Sequence, residues 1–352
     1  MHRWTWAVPL VAAALLGAAS FLPDTLPLAL LAGAALVGAV LAAVHHAEVV
    51  AHKVGEPLGT LVLALAVTVI ECALIISMMV AGGPAKAPLA RDTVYSTVMI
   101  ISSGVIGTCI VVGGIRYREQ SFRIEGAGPA FAALVTLATL VLVLPVFTTS
   151  APGAAYSPSQ MVFAGVASLT TWGVFVFLQT VRHRDYFLPA GGNDAHVPAP
   201  SGGAALASLA LLLVALVSVV GLAKQISPRI EAAVRAVGAP QAAVGIAIAL
   251  LVLLPETVAA IRAARADRLQ TSINLALGSA LATIGLTVPV VVAVSLIFGL
   301  PVILGLDPKE MVLLGLTFIV GAITLGSGRT NLMQGAVQLV VFAAFLFLSL
   351  VP

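Results

Sequence analysis

Apolar segments of about twenty residues recur along the whole chain, separated by short polar connections. Each is long enough for an α-helix to cross the hydrocarbon core of a bilayer. The pattern therefore predicts an all-α membrane protein with about eleven transmembrane helices. The predicted helices cover residues 7–22, 26–44, 57–81, 94–114, 127–147, 160–181, 204–223, 241–261, 272–298, 309–326 and 332–351.

The first apolar segment has two interpretations. Arg3 precedes it, and the small residues Ala18, Ala19 and Ser20 follow, which is also typical of a cleavable signal peptide. No polar, soluble region follows this segment. We therefore expect residues 1–25 to form an extra N-terminal transmembrane helix.

A short motif occurs once in each half of the chain. Residues 48–57 read EVVAHKVGEP and residues 231–240 read EAAVRAVGAP, so each motif has Glu, six residues, Gly, one residue and Pro. An apolar helix with a single embedded glutamate follows each motif, Glu71 in the first half and Glu256 in the second. The motif predicts an internal repeat.

The polar, Gly- and Pro-rich residues 182–203 separate the two halves. With the first helix set aside, five helices precede this segment and five follow it. An odd number of helices per half gives inverted repeats, whose equivalent positions meet near the membrane midplane. We predict a first inverted repeat at 26–181, a cytoplasmic linker at 182–203 and a second inverted repeat at 204–352.

Composition excludes a soluble protein and indicates an orientation. Hydrophobic residues make up 60% of the chain and charged residues 9%, against about a quarter charged in soluble domains. Eleven of the 17 Lys and Arg residues fall in connections on the N-terminal side. Basic residues accumulate in cytoplasmic loops. We expect a multi-pass bacterial inner (plasma) membrane protein with a cytoplasmic N-terminus, an opposite C-terminus and no nucleic-acid partner.

Glu71 and Glu256 are the strongest candidates for chemistry. An intramembrane carboxylate is costly unless it is protonated, paired or bound to a cation, so it indicates a functional site. The alternative is a purely structural hydrogen bond to a neighbouring helix. Pro255 should kink its helix and free a backbone oxygen beside Glu256. Hard cations prefer such oxygens. Two glutamates could thus hold protons when empty and release them to a metal cation. No ATP or nucleotide motif is evident, so we expect no cofactor.

Other polar residues could complete the site. Thr68, Ser102, Ser103 and Ser279 are candidate cation and proton ligands, although small residues also simply permit close helix packing. The His and Glu residues at the first repeat motif read as a solvated entry or proton-relay region, with a zinc site as the alternative, and Glu231 of the second motif and Asn274 of a later helix are further accessory candidates. The candidate accessory residues are His45, His46, Glu48, Glu56, Glu231 and Asn274.

Three stretches, at 45–77, 255–289 and 328–342, carry a family resemblance. They resemble the cation/proton exchanger branch of the calcium/cation antiporter superfamily, and within it the bacterial ChaA-type antiporters. The resemblance implies one extra helix before two inverted five-helix halves, with one essential acid per half. Those acids correspond to Glu71 and Glu256. The flanking helices correspond to the segments around Ser102 and Ser103 and around Ser279, and the first acids of the repeats to Glu48 and Glu231.

The chain departs from that family at both cores. The family has Gly-Asn before an Ala-x-Glu, whereas this chain has Val67-Thr68-Val69-Ile70-Glu71 and no asparagine before Glu256. Two amide oxygens for calcium are therefore missing. We predict a secondary antiporter, not an enzyme, that exports Ca²⁺, and also Na⁺ or K⁺, in exchange for H⁺ by alternating access. A monovalent cation/proton antiporter is the runner-up, followed by a passive channel and an intramembrane enzyme.

Overall fold

Eleven helices account for most of the chain in the computed structural model. It describes residues 3–19, 21, 25–55, 58–187, 200–236, 240 and 242–351. The helices are α1 (Arg3–Ala19), α2 (Leu26–Val54), α3 (Leu58–Gly82), α4 (Leu89–Tyr117), α5 (Ile124–Phe147), α6 (Pro158–Arg182), α7 (Gly202–Ala236), α8 (Ala242–Arg265), α9 (Leu269–Phe298), α10 (Pro308–Leu325) and α11 (Leu332–Leu350).

Four of these helices contain a wider, π-helical turn, in which the backbone hydrogen bond spans five residues instead of four. These segments are Ile100–Val105 in α4, Thr139–Val143 in α5, Leu178–Arg182 in α6 and Thr283–Thr287 in α9. Helix α5 then ends in a 3₁₀ turn at Leu144–Phe147, and further 3₁₀ turns lie at Gly83–Lys86 and Arg184–Tyr186.

Ten helices of the described chain are long and apolar enough to span a membrane, and the helix at Trp4–Ala19 is shorter. Large apolar side chains such as Leu30, Val166, Ile319 and Val340 stay exposed along them. That exposure suits a helix surface that faces lipid tails, because α-helices satisfy their own backbone hydrogen bonds there. The chain is a multi-pass membrane protein, as the apolar pattern predicts.

One compact unit comprises residues 1–83 and 195–244, which hold α1, α2, α3 and α7. Helix α2 packs against each of the other three. Glycines let the helices approach closely, since a Cβ added to Gly38 would lie 3.1 Å from Val8 Cγ1. The extra first helix is thus packed within this unit.

The other compact unit comprises residues 84–194 and 245–352. Helix α11 packs on α4, and helix α6 packs on α9. Strands β1 (Glu119–Ser121) and β2 (Arg329–Asn331) pair antiparallel and join the α4–α5 and α10–α11 connections. The amide of Ile303 donates to the Ala87 carbonyl (3.0 Å), which joins the α9–α10 connection to the residues before α4. The α4–α5 and α10–α11 connections thus form one group, and the α9–α10 connection and the residues before α4 form another. Two such groups are expected when successive helices run in opposite directions.

Several helices extend beyond the apolar segments that predicted them. Helix α2 continues to Val54 and helix α7 to Ala236, so both repeat motifs begin within a helix. The apolar segment predicted for α2 ends at residue 44, so that boundary is wrong by about ten residues, and Glu48 and Lys53 belong to the helix. Polar residues can occupy the last turns of such a helix because those turns lie beyond the hydrocarbon core.

Candidate functional site

Glu71 is buried near the middle of α3. It is the fourteenth of that helix's 25 residues, and 2% of its surface is exposed. Thr68 lies one turn earlier on the same face, and Leu74 and Ile75 extend that buried face. Val69 lies on the opposite, exposed face. The structure thus points this carboxyl group into protein.

Glu256 has a corresponding place in α8. It is the fifteenth of 24 residues and is half-buried, on the face that also carries the buried Val252 and Ala260. The helix continues through Pro255. Because proline has no N–H, the carbonyl of Leu251 loses its usual intrahelical donor. A backbone oxygen one turn from the carboxyl group can therefore bind another partner.

The two predicted serines of α4 lie in its π-helical segment. Ser102 and Ser103 are both buried. The Ser103 hydroxyl donates to the Met99 carbonyl at 2.6 Å. The Ser102 hydroxyl has no hydrogen-bond partner in the described part of the chain, so its oxygen can accept or donate a further bond.

The predicted residues of α9 divide into two roles. Ser279 is half-buried on the turn before the π-helical segment at Thr283–Thr287. Asn274 lies deeper in a hydrogen-bond network, where its Nδ2 donates to the Phe187 carbonyl (2.6 Å) and its Oδ1 accepts from Gln270 Nε2 (2.9 Å). Asn274 thus holds the connecting segment at Phe187, and its accessory role stays a prediction.

The solvent exposure of the predicted entry region also differs from the expectation. Glu48 is exposed and His45 half-buried on α2, but His46 is fully buried, with Nε2 2.8 Å from the Thr5 carbonyl oxygen of α1. The prediction of a solvated His46 is wrong because the extra first helix packs over it. Glu56 lies outside the described residues, and so does the side chain of Glu231, whose backbone belongs to α7.

The candidates are distributed over both units. Thr68 and Glu71 lie in the unit with α1, and the second unit holds Glu256, Ser102, Ser103 and Ser279. Within the described residues, no three His, Cys, Asp or Glu side chains are grouped as a metal site. The further cation ligands of each glutamate are therefore sought among the hydroxyl and carbonyl oxygens of its own unit.

A buried ion pair escaped the sequence-based prediction. Arg91 Nε lies 2.8 Å from Asp92 Oδ1 in the first turn of α4, with 13% and 7% of these side chains exposed. Arg91 Nη1 also donates to the Gly305 carbonyl at 3.0 Å. The apolar pattern begins only at residue 94, so both side chains were assigned to a connection. The available signal was an acidic residue in the first helical turn, where the helix dipole favours negative charge.

Known proteins resemble this chain over nearly its full length. The sequence profile of the family described as sodium/calcium exchanger protein matches residues 25–181 and 207–351. The protein y4hA of Sinorhizobium fredii is 48% identical over 99% of this chain and 96% of its own. The sodium-potassium/proton antiporter ChaA of Escherichia coli is 34% identical over 96% of this chain and 92% of its own.

A solved structure has the same fold. The crystal structure of the Ca²⁺/H⁺ antiporter protein YfkE covers all of this chain and all of its own, with a TM-score of 0.72 and 17% identity. At that identity the likeness concerns the fold alone. It confirms the membrane antiporter architecture that the helix pattern and the resemblance predict.

Proposed function

The chain belongs to the sodium/calcium exchanger protein family, in its ChaA-type group, and from that premise we propose that it exchanges a metal cation for protons as a secondary transporter. Glu71 and Glu256 take up cation and proton in turn, by alternating access. The burial of Glu71 in the middle of α3 is the observation that carries this proposal. A carboxyl group in that place is stable when protonated or bound to a cation, and exchange follows from competition for the same oxygens.

The organisation into inverted halves is part of the proposal. The two segments that match the family profile, 25–181 and 207–351, nearly coincide with the repeats proposed at 26–181 and 204–352. In each half the Glu-x6-Gly-x-Pro motif starts in the last turns of one helix, and the next helix carries the embedded glutamate near its middle. We propose that residues 182–203 link the halves in the cytoplasm and that the N-terminus lies on the same side.

Oxygen ligands beyond the glutamates are proposed for each unit separately. Thr68 supports Glu71 from the turn before it, on the same buried face. Ser102, Ser103, Ser279 and the Leu251 carbonyl support Glu256 within the second unit. Hydroxyl and carbonyl oxygens are the ligands that a hard cation accepts beside a carboxylate.

Calcium is the cation predicted first, and Na⁺ and K⁺ form the second candidate. Two observations favour the monovalent ions. The 34% identical relative is a sodium-potassium/proton antiporter, and asparagine is absent before both Glu71 and Glu256. Ca²⁺ typically takes six to eight oxygen ligands, so the loss of two amide oxygens weakens the expected preference for Ca²⁺.

The experiment that tests the exchange uses the full chain in proteoliposomes with an acidic interior and a pH-sensitive dye. Calcium, sodium and potassium are added outside in turn. The proposal expects at least one of them to alkalinise the interior in proportion to protein content, with protein-free liposomes as control. No proton movement with any of the three cations would overturn the antiporter function. Cation uptake without proton movement would instead identify a channel.

A further inference from the structure

The same contact occurs twice in the second unit, between a π-helical glycine and an aromatic side chain. A Cβ added to Gly104, in the π-helical segment of α4, would lie 3.1 Å from the ring of Phe342 on α11. A Cβ added to Gly285, in the π-helical segment of α9, would overlap Trp172 on α6. In each case the absent side chain lets an aromatic residue of the neighbouring helix reach the backbone.

The two aromatic residues belong to matching sequence patterns. On α11, Gly335, Gln338 and Phe342 are separated by three and four residues, and on α6, Gly165, Ser168 and Trp172 have the same separations. Each glycine is also at the helix contact. A Cβ at Gly335 would lie 2.8 Å from Val111, and one at Gly165 would lie 3.5 Å from the Cα of Pro289. The two halves of the chain thus build one arrangement twice.

The central position of each pattern carries a polar group that is sealed inside the protein. Gln338 is 1% exposed and Ser168 is 0% exposed. Neither Oε1 nor Nε2 of Gln338, nor the Ser168 hydroxyl, has a hydrogen-bond partner in the described part of the chain. Leaving such groups buried and unpaired costs folding free energy. Apolar side chains of similar size would avoid that cost.

Gln338 lies against α4 close to the predicted serines. A Cβ at Gly107 would be 3.0 Å from Gln338 Cβ, which places the glutamine beside the turn that follows the π-helical segment. It is six residues into α11, about 9 Å along the helix axis at 1.5 Å per residue. With 1% of its surface exposed, the side chain lies inside the protein and not at the end of the helix.

We propose that Gln338 and Ser168 are cation-binding positions on the transport path, one from each half of the chain. Each offers a neutral oxygen to a passing Na⁺, K⁺ or Ca²⁺ ion, of the kind that hard cations accept. Gln338 supplies an amide oxygen, the ligand type that is missing before both glutamates. A bound ion would satisfy polar oxygens that the fold leaves buried without a hydrogen bond. This inference rests on the proposed exchange of cations for protons.

The test compares Gln338→Met and Ser168→Ala with the unchanged chain in proteoliposomes. Methionine has nearly the length of glutamine and preserves the packing against Gly107, but it offers no hard oxygen. We expect Gln338→Met to raise the KM for the exchanged cation about tenfold, the value of one interaction with a charged group. Ser168→Ala should raise it about threefold or more. Neither variant should lower the thermal stability.

Thr324→Val is the matched control. Thr324 is a buried hydroxyl in the same unit, but it already donates to the Val320 carbonyl at 2.8 Å, so its removal should leave the KM unchanged. An unchanged KM in Gln338→Met, with or without a loss of stability, would overturn the inference and leave the proposed exchange intact. No proton exchange in the unchanged chain would overturn both.

Discussion

His46 Nε2 on α2 lies 2.8 Å from the carbonyl oxygen of Thr5 on α1, and this contact is fully buried. Residue 9 of α1 is proline, which has no N–H, so the Thr5 carbonyl lacks its usual intrahelical donor and the histidine supplies one instead. The extra first helix is thereby tied to the helix that carries the first repeat motif.

The first prediction concerns that tie. His46→Ala removes the hydrogen bond and leaves a gap under α1, which should destabilise the protein by about 1–3 kcal/mol. The measurement is the thermal unfolding midpoint in detergent. His52→Ala is the control, because His52 is exposed on the same helix, and it should change the midpoint little. An equal shift in both variants would contradict the buried contact.

The second prediction concerns the Arg91–Asp92 pair. Arg91→Met leaves Asp92 buried without its nearest cation and removes the bond to Gly305, which should cost about 3–5 kcal/mol. The double variant Arg91→Met with Asp92→Asn removes the stranded charge and should recover more than half of that loss. The measurement is the thermal unfolding midpoint of each of the two variants. A double variant that is less stable than the single variant would contradict the view that the unpaired Asp92 charge causes the loss of stability.

The third prediction compares two glycines of α9. Gly285→Ala forces a Cβ against Trp172, whereas a Cβ at Gly278 meets nothing within 4 Å. The first change should destabilise by about 1–3 kcal/mol through overpacking. The second should be neutral or stabilising by up to about 1 kcal/mol, because alanine favours a helix. Similar midpoints for the two variants would refute the Trp172 contact.

The fourth prediction concerns alkaline pH. Tyr156 lies between α5 and α6 in the sequence, and its hydroxyl donates to the Leu140 carbonyl at 2.6 Å. Burial raises the pKa of Tyr156 above its usual 10. A raised pKa stabilises the fold below the unfolded pKa, and this contribution is lost as pH rises through the folded pKa. The thermal midpoint should therefore fall above about pH 10, and Tyr156→Phe should fall less steeply over that range.

Sequence patterns predicted the helices well because apolar length is a local property that the bilayer imposes. They placed Glu71 and Glu256 near the middle of their helices, and the structure agrees. They missed what depends on distant neighbours. His46 is buried only because α1 covers it, and Asn274 is held by Phe187, which is 87 residues away in the chain. The π-helical turns at Ile100–Val105 and Thr283–Thr287 leave the apolar pattern unbroken, so periodicity alone does not reveal them.

The extent of the apolar pattern also underestimates the helices. Arg91 and Asp92 can occupy the first turn of α4 because they neutralise each other and because Arg91 also donates to the Gly305 carbonyl. Hydropathy values assigned residue by residue treat both side chains as too polar for a membrane helix. Polar pairs at helix ends are therefore the places where we expect hydropathy to misplace a boundary.

The most direct test of the central claim is cation-dependent proton flux in Glu71→Gln and Glu256→Gln proteoliposomes. Glutamine keeps the size of the side chain but binds no exchangeable proton at its amide oxygen. Glu125→Gln is the matched control, since Glu125 is exposed in the first turn of α5. We predict that either intramembrane change lowers the flux at least about a hundredfold, the loss of roughly 2.7 kcal/mol, while the control keeps it. Flux that survives Glu71→Gln or Glu256→Gln at the control level would contradict the assignment of these glutamates as the exchange site.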